Sequence, residues 1–128
     1  MNLQLENKLC LITGSTKGIG LAMAQALHAE GASVVVTGQS DESVRRALSE
    51  FDGSSRVHGF ACDMRHAAAI EQLAQKVAAL GVPDVMIHNV GYFEVRPFFE
   101  CADEHWQSMF NLNVMSGVRL SRLPCQPC

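Results

Sequence analysis

Residues 8–20 read KLCLITGSTKGIG and carry the strongest fold signal of the chain. Residues 8–13 form a short apolar run that ends at a glycine. The apolar positions after the glycines recur at helical spacing: Ile19, Ala22, Met23, Ala26 and Leu27. This pattern predicts a strand, a tight turn and a helix. At such a turn the backbone N–H groups and the helix dipole favour an anion, so the stretch predicts a phosphate site.

Strand-like and helix-like segments alternate along the rest of the chain. Further strands are predicted at residues 33–37, 56–61 and 84–88, with helices between them. A last helix is predicted from Asp103 to about Arg122, with one stripe made of Trp106, Met109, Phe110, Asn113 and Gly117. Parallel strands joined by helical crossovers pack between two helix layers. We therefore expect an α/β fold: a Rossmann-type, three-layer, doubly wound parallel sheet, incomplete, with about four strands.

Length and charge limit the class of protein. The chain has 128 residues, a net charge of −3, 48% hydrophobic residues and 18% charged residues, which is typical of one globular domain. No basic stripe suited to nucleic acid is present, and no apolar run approaches the ~20 residues that cross a bilayer. Residues 1–7 lack the pattern of a secretory signal. We expect a cytoplasmic protein without nucleic-acid or membrane partners.

The chain contains five cysteines, an odd number. Cys10, Cys62 and Cys101 stand singly and are predicted to be reduced thiols. Cys125 and Cys128 form a C-x-x-C pair, but neither a second ligand pair nor a redox-type helix accompanies it. No metal site is predicted.

Each glycine of the turn has its own steric reason. Gly14 permits the sharp bend, Gly18 lets the backbone approach a phosphate, and Gly20 lets the helix pack closely on the strand. Such a turn can also be a mere connection, but the strand before it and the helix after it favour dinucleotide binding. Lys17 precedes Gly18 instead of following a glycine, which excludes a Walker A loop.

These residues resemble a known family. Thr13-Gly14-x-x-x-Gly18-Ile19-Gly20 is similar to the coenzyme motif of the short-chain dehydrogenases/reductases, and the similarity runs from about residue 8 to residue 122. Cys62-Asp63 resembles the acidic position beside the adenine ring. His88-Asn89-Val90-Gly91 resembles the Asn-Asn-Ala-Gly motif, from which His88 and Val90 depart.

The resemblance implies the strand order 3-2-1-4 and a nicotinamide dinucleotide at the carboxyl ends of the strands. Residues 1–122 would be the NAD(P)-binding, N-terminal half of such an enzyme, and residues 123–128 a divergent tail. The implied coenzyme-binding residues are Gly14, Ser15, Thr16, Lys17, Gly18, Ile19, Gly20, Gly38, Gln39, Asp63, Asn89, Val90 and Gly91.

Asn113 corresponds by this resemblance to the helix asparagine that anchors a water in the family's proton relay. The helical stripe itself predicts that its amide points into apolar surroundings and needs partners there. A buried asparagine bonded to neighbouring backbone is the alternative interpretation.

The end of the second strand favours NADP, with NAD as the alternative. It reads Thr37-Gly38-Gln39-Ser40, without the carboxylate that bonds the ribose of NAD. Lys17 resembles the basic residue of NADP-preferring relatives, whereas Gln39 stands where an arginine is often found. Asp41 could bond the ribose, but its position is more typical of a first-turn helix charge. Arg45 and Arg46 could reach the phosphate or be solvated.

The family's chemistry needs a Ser and a Tyr-x-x-x-Lys, and these 128 residues hold neither arrangement: Tyr92 is the only tyrosine, and no lysine follows it. We expect coenzyme binding without turnover, as after a premature stop or a frameshift. Alternatives are a noncatalytic module that acts with another subunit, or a reductase that uses His88 or Tyr92. The fourth strand would be a sheet edge, so self-association through that edge or the last helix is expected.

Overall fold

Four parallel strands form one sheet in the order β3-β2-β1-β4. The computed structural model describes residues 2–92 and 94–122. The strands are β1 (Leu9–Ile12), β2 (Ser33–Gly38), β3 (Val57–Ala61) and β4 (Val85–Ile87). The α/β class and the strand order predicted above are both confirmed. The predicted tail, with Cys125 and Cys128, lies outside the described residues.

Helices connect and follow these strands. They are α1 (Gly18–Ala29), α2 (Asp41–Leu48), α3 (Ala67–Ala78), α4 (Asp103–Phe110) and α5 (Ser116–Arg122). Single 3-10 turns occupy Ser49–Phe51 and Phe98–Glu100. A π-helical segment, Asn111–Met115, joins α4 to α5. The described residues include no helix with the length and hydrophobicity of a membrane span.

The sheet is covered on both faces, as the continuous apolar run of β2 predicts. Successive side chains of a strand point to opposite faces. Leu11 and Val35 therefore pack with α3 and α5, whereas Cys10, Val34 and Val36 pack with Ala24 of α1 and with Phe51. Two separate cores result, one on each side of the sheet. Cys10 and Cys62 are buried free thiols and Cys101 is a half-buried one, as expected.

The apolar positions predicted for α1 are only partly buried: Met23 and Leu27 pack on the core, whereas Ala22 and Ala26 are exposed. Ile19 is 75% exposed, and the buried positions are Gly20 and Ala24. A Cβ at Gly20 would lie 2.1 Å from the Gly14 carbonyl oxygen, so the helix approaches the turn through its smallest residues. This contact fixes the rotation of α1 and leaves Ile19 outside.

The predicted stripe of the last helix is also wrong in its first half. Trp106 and Phe110 are 55% and 54% exposed, whereas Ser116 and Leu120 are buried. A π turn holds more residues than an α turn, so it shifts the phase of the side chains that follow it. α5 packs against α3, whereas α4 buries no residue.

Candidate functional site

A cleft of about 910 Å³ lies at the carboxyl ends of the strands. The turn after β1, the ends of β2 and β3, the segment after β4, and α4 all line it. In open parallel sheets this edge is where ligands bind. The cleft therefore collects most of the residues that the sequence singles out.

The glycine turn forms the floor of the cleft. Gly14 and Gly18 have φ values of +60° and +59°. Residues with a Cβ rarely adopt this backbone conformation. A Cβ at Gly18 would meet no heavy atom within 4 Å, so this glycine opens onto free space at the start of α1. A Cβ at Gly20 would also lie 2.6 Å from Nδ2 of Asn89. Gly20 shapes the turn, and Gly18 leaves room for a ligand beside it.

Ser15 supports the turn from behind. It is fully buried, its hydroxyl donates to the Ile12 carbonyl at 2.6 Å and accepts the Thr37 N–H at 2.9 Å, and its own N–H donates to the Thr37 carbonyl. These bonds tie the turn to β2. The polar groups of Ser15 therefore face the core, and its predicted contact with a coenzyme stays a prediction. Ile19 and Gly20 do not line the cleft either.

Thr13 is a positioning residue that the sequence reasoning missed. It is buried, and its Oγ1 accepts the N–H groups of Asn89 and Val90 at 3.0 and 3.2 Å. The Asn89 side chain returns a hydrogen bond to the Gly14 carbonyl at 3.0 Å. These three hydrogen bonds thus hold the segment after β4 against the glycine turn. The sequence does offer a signal for this role: a threonine stands directly between an apolar strand and the first glycine.

Asn113 holds the next part of this segment. Its Oδ1 accepts the Tyr92 N–H at 2.7 Å, and its Nδ2 donates to the Tyr92 carbonyl at 3.0 Å. The expectation of apolar surroundings is wrong, since Asn113 is exposed; it does bond to backbone, as the alternative proposed. It lies in the π-helical segment, a feature frequent at functional sites. Asn113 therefore fixes the backbone at the cleft mouth.

Asp63 lines the cleft, and its carboxylate is hydrogen-bonded to Arg65. Arg65 donates to it through Nε at 3.0 Å and through Nη2 at 2.9 Å. The side-chain hydrogen bond from Arg65 lowers the pKa of Asp63 below its usual value. Beside it, burial raises the pKa of the Cys62 thiol to about 11. Asp63 stays ionised and paired, and Cys62 stays a neutral thiol.

The end of β2 packs against the turn and against α2. A Cβ at Gly38 would lie 2.4 Å from Cγ2 of Thr16 and 2.8 Å from Oγ of Ser43. Gln39, Ser40 and Arg46 also line the cleft, whereas Arg45 and Asp41 do not. Ser40 caps α2, and Asp41 is confirmed in its first turn. Lys17 lines the opposite side, and its side chain makes no cap hydrogen bond.

The far end of the cleft holds an ion-pair cluster that the sequence reasoning missed. Glu94 accepts from Arg96 at 2.6 Å and lies 3.5 Å from Nε2 of His105. His105 belongs to α4 and Glu94 to the preceding loop. Because the two residues lie in different elements, no local sequence spacing predicts this pair. His88 lies outside the cleft lining, with Nε2 2.7 Å from Oγ of Ser121. Across residues 2–92 and 94–122, no cluster of three metal-ligating side chains occurs.

Comparison with known proteins agrees with this geometry. The family described as "short chain dehydrogenase" matches residues 8–126. The uncharacterized oxidoreductase YvrD of Bacillus subtilis is 45% identical over 122 residues, which cover 95% of this chain and 46% of that protein. The D-beta-hydroxybutyrate dehydrogenase of Cupriavidus necator is 33% identical, over 93% of this chain and 47% of that enzyme.

The structural comparison gives the same result. The L-sorbose reductase of Gluconobacter frateurii, crystallised with NADPH and L-sorbose, superposes with a TM-score of 0.89 at 33% identity. The match covers 96% of this chain and 48% of that one. The chain thus spans about half the length of the relatives it matches. It belongs to the short-chain dehydrogenase/reductase family.

Proposed function

We propose that this chain is the coenzyme-binding half of a short-chain dehydrogenase/reductase and that it binds a nicotinamide dinucleotide, NADP(H) in preference to NAD(H). The observation that carries the proposal is the glycine turn, in which Gly18 opens onto free space at the start of α1. Helix N-termini attract phosphate through unpaired N–H groups and the helix dipole. The similarity to a protein crystallised with NADPH supports the same coenzyme class.

The residues present fit such a coenzyme. The buried hydroxyl of Thr37 lines the cleft and has no hydrogen-bond partner among the described residues, so it offers a polar group to a ligand. A buried polar group without a partner is costly, and ligand binding would relieve that cost. Gly14, Thr16, Lys17 and Gly18 would hold the phosphates, Asp63 and its neighbours the adenine, and Asn89, Val90 and Gly91 the ribose beside the nicotinamide.

The preference for NADP rests on charge at the end of β2. Gly38, Gln39 and Ser40 line the cleft there, and none of them carries a carboxylate that could bond both ribose hydroxyls. Lys17 supplies a positive charge on the opposite side. A 2′-phosphate is therefore attracted rather than repelled.

We further propose that these 128 residues bind the coenzyme without completing the reaction. In the intact family the bound coenzyme exchanges a hydride with a carbonyl or alcohol substrate. Asn113 would be the member of the proton relay present here, holding the Tyr92 backbone in place. The chain carries no Tyr-x-x-x-Lys: Arg96 stands four residues after Tyr92, in a loop. No phenol next to an ammonium is available to transfer a proton.

Fluorescence titration of the purified chain with NADPH and NADH tests the proposal. Saturable binding of both, tighter for NADPH, is expected, and neither ketones nor alcohols should be turned over. Failure to bind either dinucleotide would overturn the coenzyme assignment. Turnover by the chain alone would overturn the second statement, and a Tyr92→Phe variant would then show whether that hydroxyl takes part.

The second candidate is a noncatalytic module that acts with another subunit, and one surface feature favours it. Trp106, Phe110, Val114 and Val118 recur every four residues on the last helix and are 41–55% exposed. Among the residues that the structure describes, β4 pairs only with β1 and stands at one edge of the sheet. We propose that two copies of the chain associate through this stripe or this edge. Sedimentation should show a dimer, which a Phe110→Glu variant dissociates if the stripe is the contact and leaves intact if the β4 edge is; a monodisperse monomer would contradict the association.

A further inference from the structure

Two cations of the cleft have no counter-ion in the described part of the chain. The cleft carboxylates are both engaged: Asp63 with Arg65 and His66, and Glu94 with Arg96 and His105. Within residues 2–92 and 94–122, neither Lys17 nor Arg46 has a carboxylate within ion-pair distance, although both line the cleft. Glu42 precedes Arg46 by four residues on α2, yet the two form no ion pair. These two positive charges are available to a ligand.

The packing places the two cations on either side of the end of β2. Thr16, next to Lys17, and Ser43 both approach Gly38 so closely that a Cβ there would contact each of them. Ser43 and Arg46 are three residues apart on α2, so they share one face of that helix. Arg46 therefore lies on the α2 side of the strand end and Lys17 on the turn side.

Arg45 provides an internal comparison. It is adjacent to Arg46, it is also exposed, and it carries the same charge, but it does not line the cleft. One residue corresponds to about 100° around a helix, because an α-helix has 3.6 residues per turn. Val44 and Ala47 face the sheet and are 5% and 1% exposed, which fixes the rotation of α2. That rotation directs Arg46, and not Arg45, toward the cleft.

We propose that Arg46 is the residue that distinguishes NADPH from NADH, by binding the 2′-phosphate together with Lys17. A guanidinium can donate two parallel hydrogen bonds to phosphate, which the neutral amide of Gln39 cannot match. Arg46 would thus supply from α2 the bidentate partner that Gln39 does not. This inference rests on the proposed dinucleotide site.

The test compares Arg46→Ala with the matched control Arg45→Ala in the full chain. Titrations use NADPH, NADH, 2′,5′-ADP and 5′-AMP. Arg46→Ala should weaken NADPH and 2′,5′-ADP binding by about tenfold, the loss expected for one charge-assisted phosphate contact. It should leave NADH and 5′-AMP binding within twofold. Arg45→Ala should change none of the four.

The outcomes separate this inference from the proposed function. Equal effects of the two alanine variants, or equal losses for NADPH and NADH, would overturn the role of Arg46 while the coenzyme site stands. No binding of any probe to the unsubstituted chain would overturn the proposed function instead. An Arg46→Lys variant checks the geometry: partial recovery of NADPH affinity is expected, since an ammonium keeps the charge but loses the bidentate fork. Equal thermal midpoints of all variants exclude misfolding as the cause.

Discussion

Two glycines of this chain share the same backbone strain but only one lies at the candidate site, which makes a matched pair of substitutions possible. Gly18 and Gly53 have φ values of +59° and +69°, and a Cβ at either would meet no heavy atom within 4 Å. Alanine in this left-handed region costs about 1–2 kcal/mol. Both Gly18→Ala and Gly53→Ala should therefore lower the free energy of unfolding by a similar amount.

Their effects on coenzyme binding should differ. Gly18 lines the cleft and Gly53 does not, so only the methyl at residue 18 would occupy the space that we propose for the phosphates. Loss of one charge-assisted hydrogen bond to phosphate costs about 1.5–3 kcal/mol, and every 1.4 kcal/mol is about tenfold in the dissociation constant. We expect Gly18→Ala to weaken NADPH binding at least tenfold and Gly53→Ala to leave it unchanged.

Urea unfolding and calorimetric titration of the two variants measure these quantities side by side. The proposed phosphate site at Gly18 is refuted if both variants bind NADPH as the parent chain does. It is refuted as well if Gly53→Ala loses as much affinity as Gly18→Ala, because the loss would then follow from reduced stability and not from the site.

Three further predictions concern the residues that hold the cleft together. Thr13→Val removes the acceptor of two N–H groups and should lower the free energy of unfolding by about 2 kcal/mol in a urea titration. Thr13→Ser, which keeps the hydroxyl, should lose much less. Asn113→Ala should speed hydrogen exchange of the Tyr92 amide, whereas Asn111→Ala should not; equal rates would contradict the clamp. The pKa of Asp63 is lowered by Arg65, so the pair stabilises the fold above the unfolded carboxyl pKa, and this stabilisation is lost as pH falls below it. Arg65→Ala should therefore show less loss of stability between pH 7 and pH 3 than the parent chain, and an unchanged pH profile would contradict this assignment.

Much of the fold follows from local sequence patterns. The uninterrupted valines of β2 predict a strand buried on both faces, and the structure buries Val34, Val35 and Val36 completely. The glycines of the turn predict its geometry, because positive φ at Gly14 and Gly18 is a local requirement. The parallel sheet order agrees with the resemblance of the motifs that follow.

Helix rotation, helix phase and side-chain pairing depend on contacts between distant segments. No local sequence pattern predicts these contacts. The rotation of α1 is set by the approach of Gly20 to Gly14, which leaves Ile19 at the surface. The π-helical segment shifts the phase of the last helix by an amount that a regular period cannot predict. The orientation of Ser15 toward the core and the pairing of Glu94 with His105 likewise arise only when the elements meet.

We propose that the diphosphate of a nicotinamide dinucleotide lies against the backbone N–H groups of the glycine turn. Amide chemical shifts of the ¹⁵N-labelled chain, recorded during a titration with NADPH, test this contact. The largest shifts are expected at Gly14, Lys17 and Gly18, saturating with one dinucleotide per chain. An unchanged spectrum, or shifts confined to the opposite end of the sheet around His28, would contradict it.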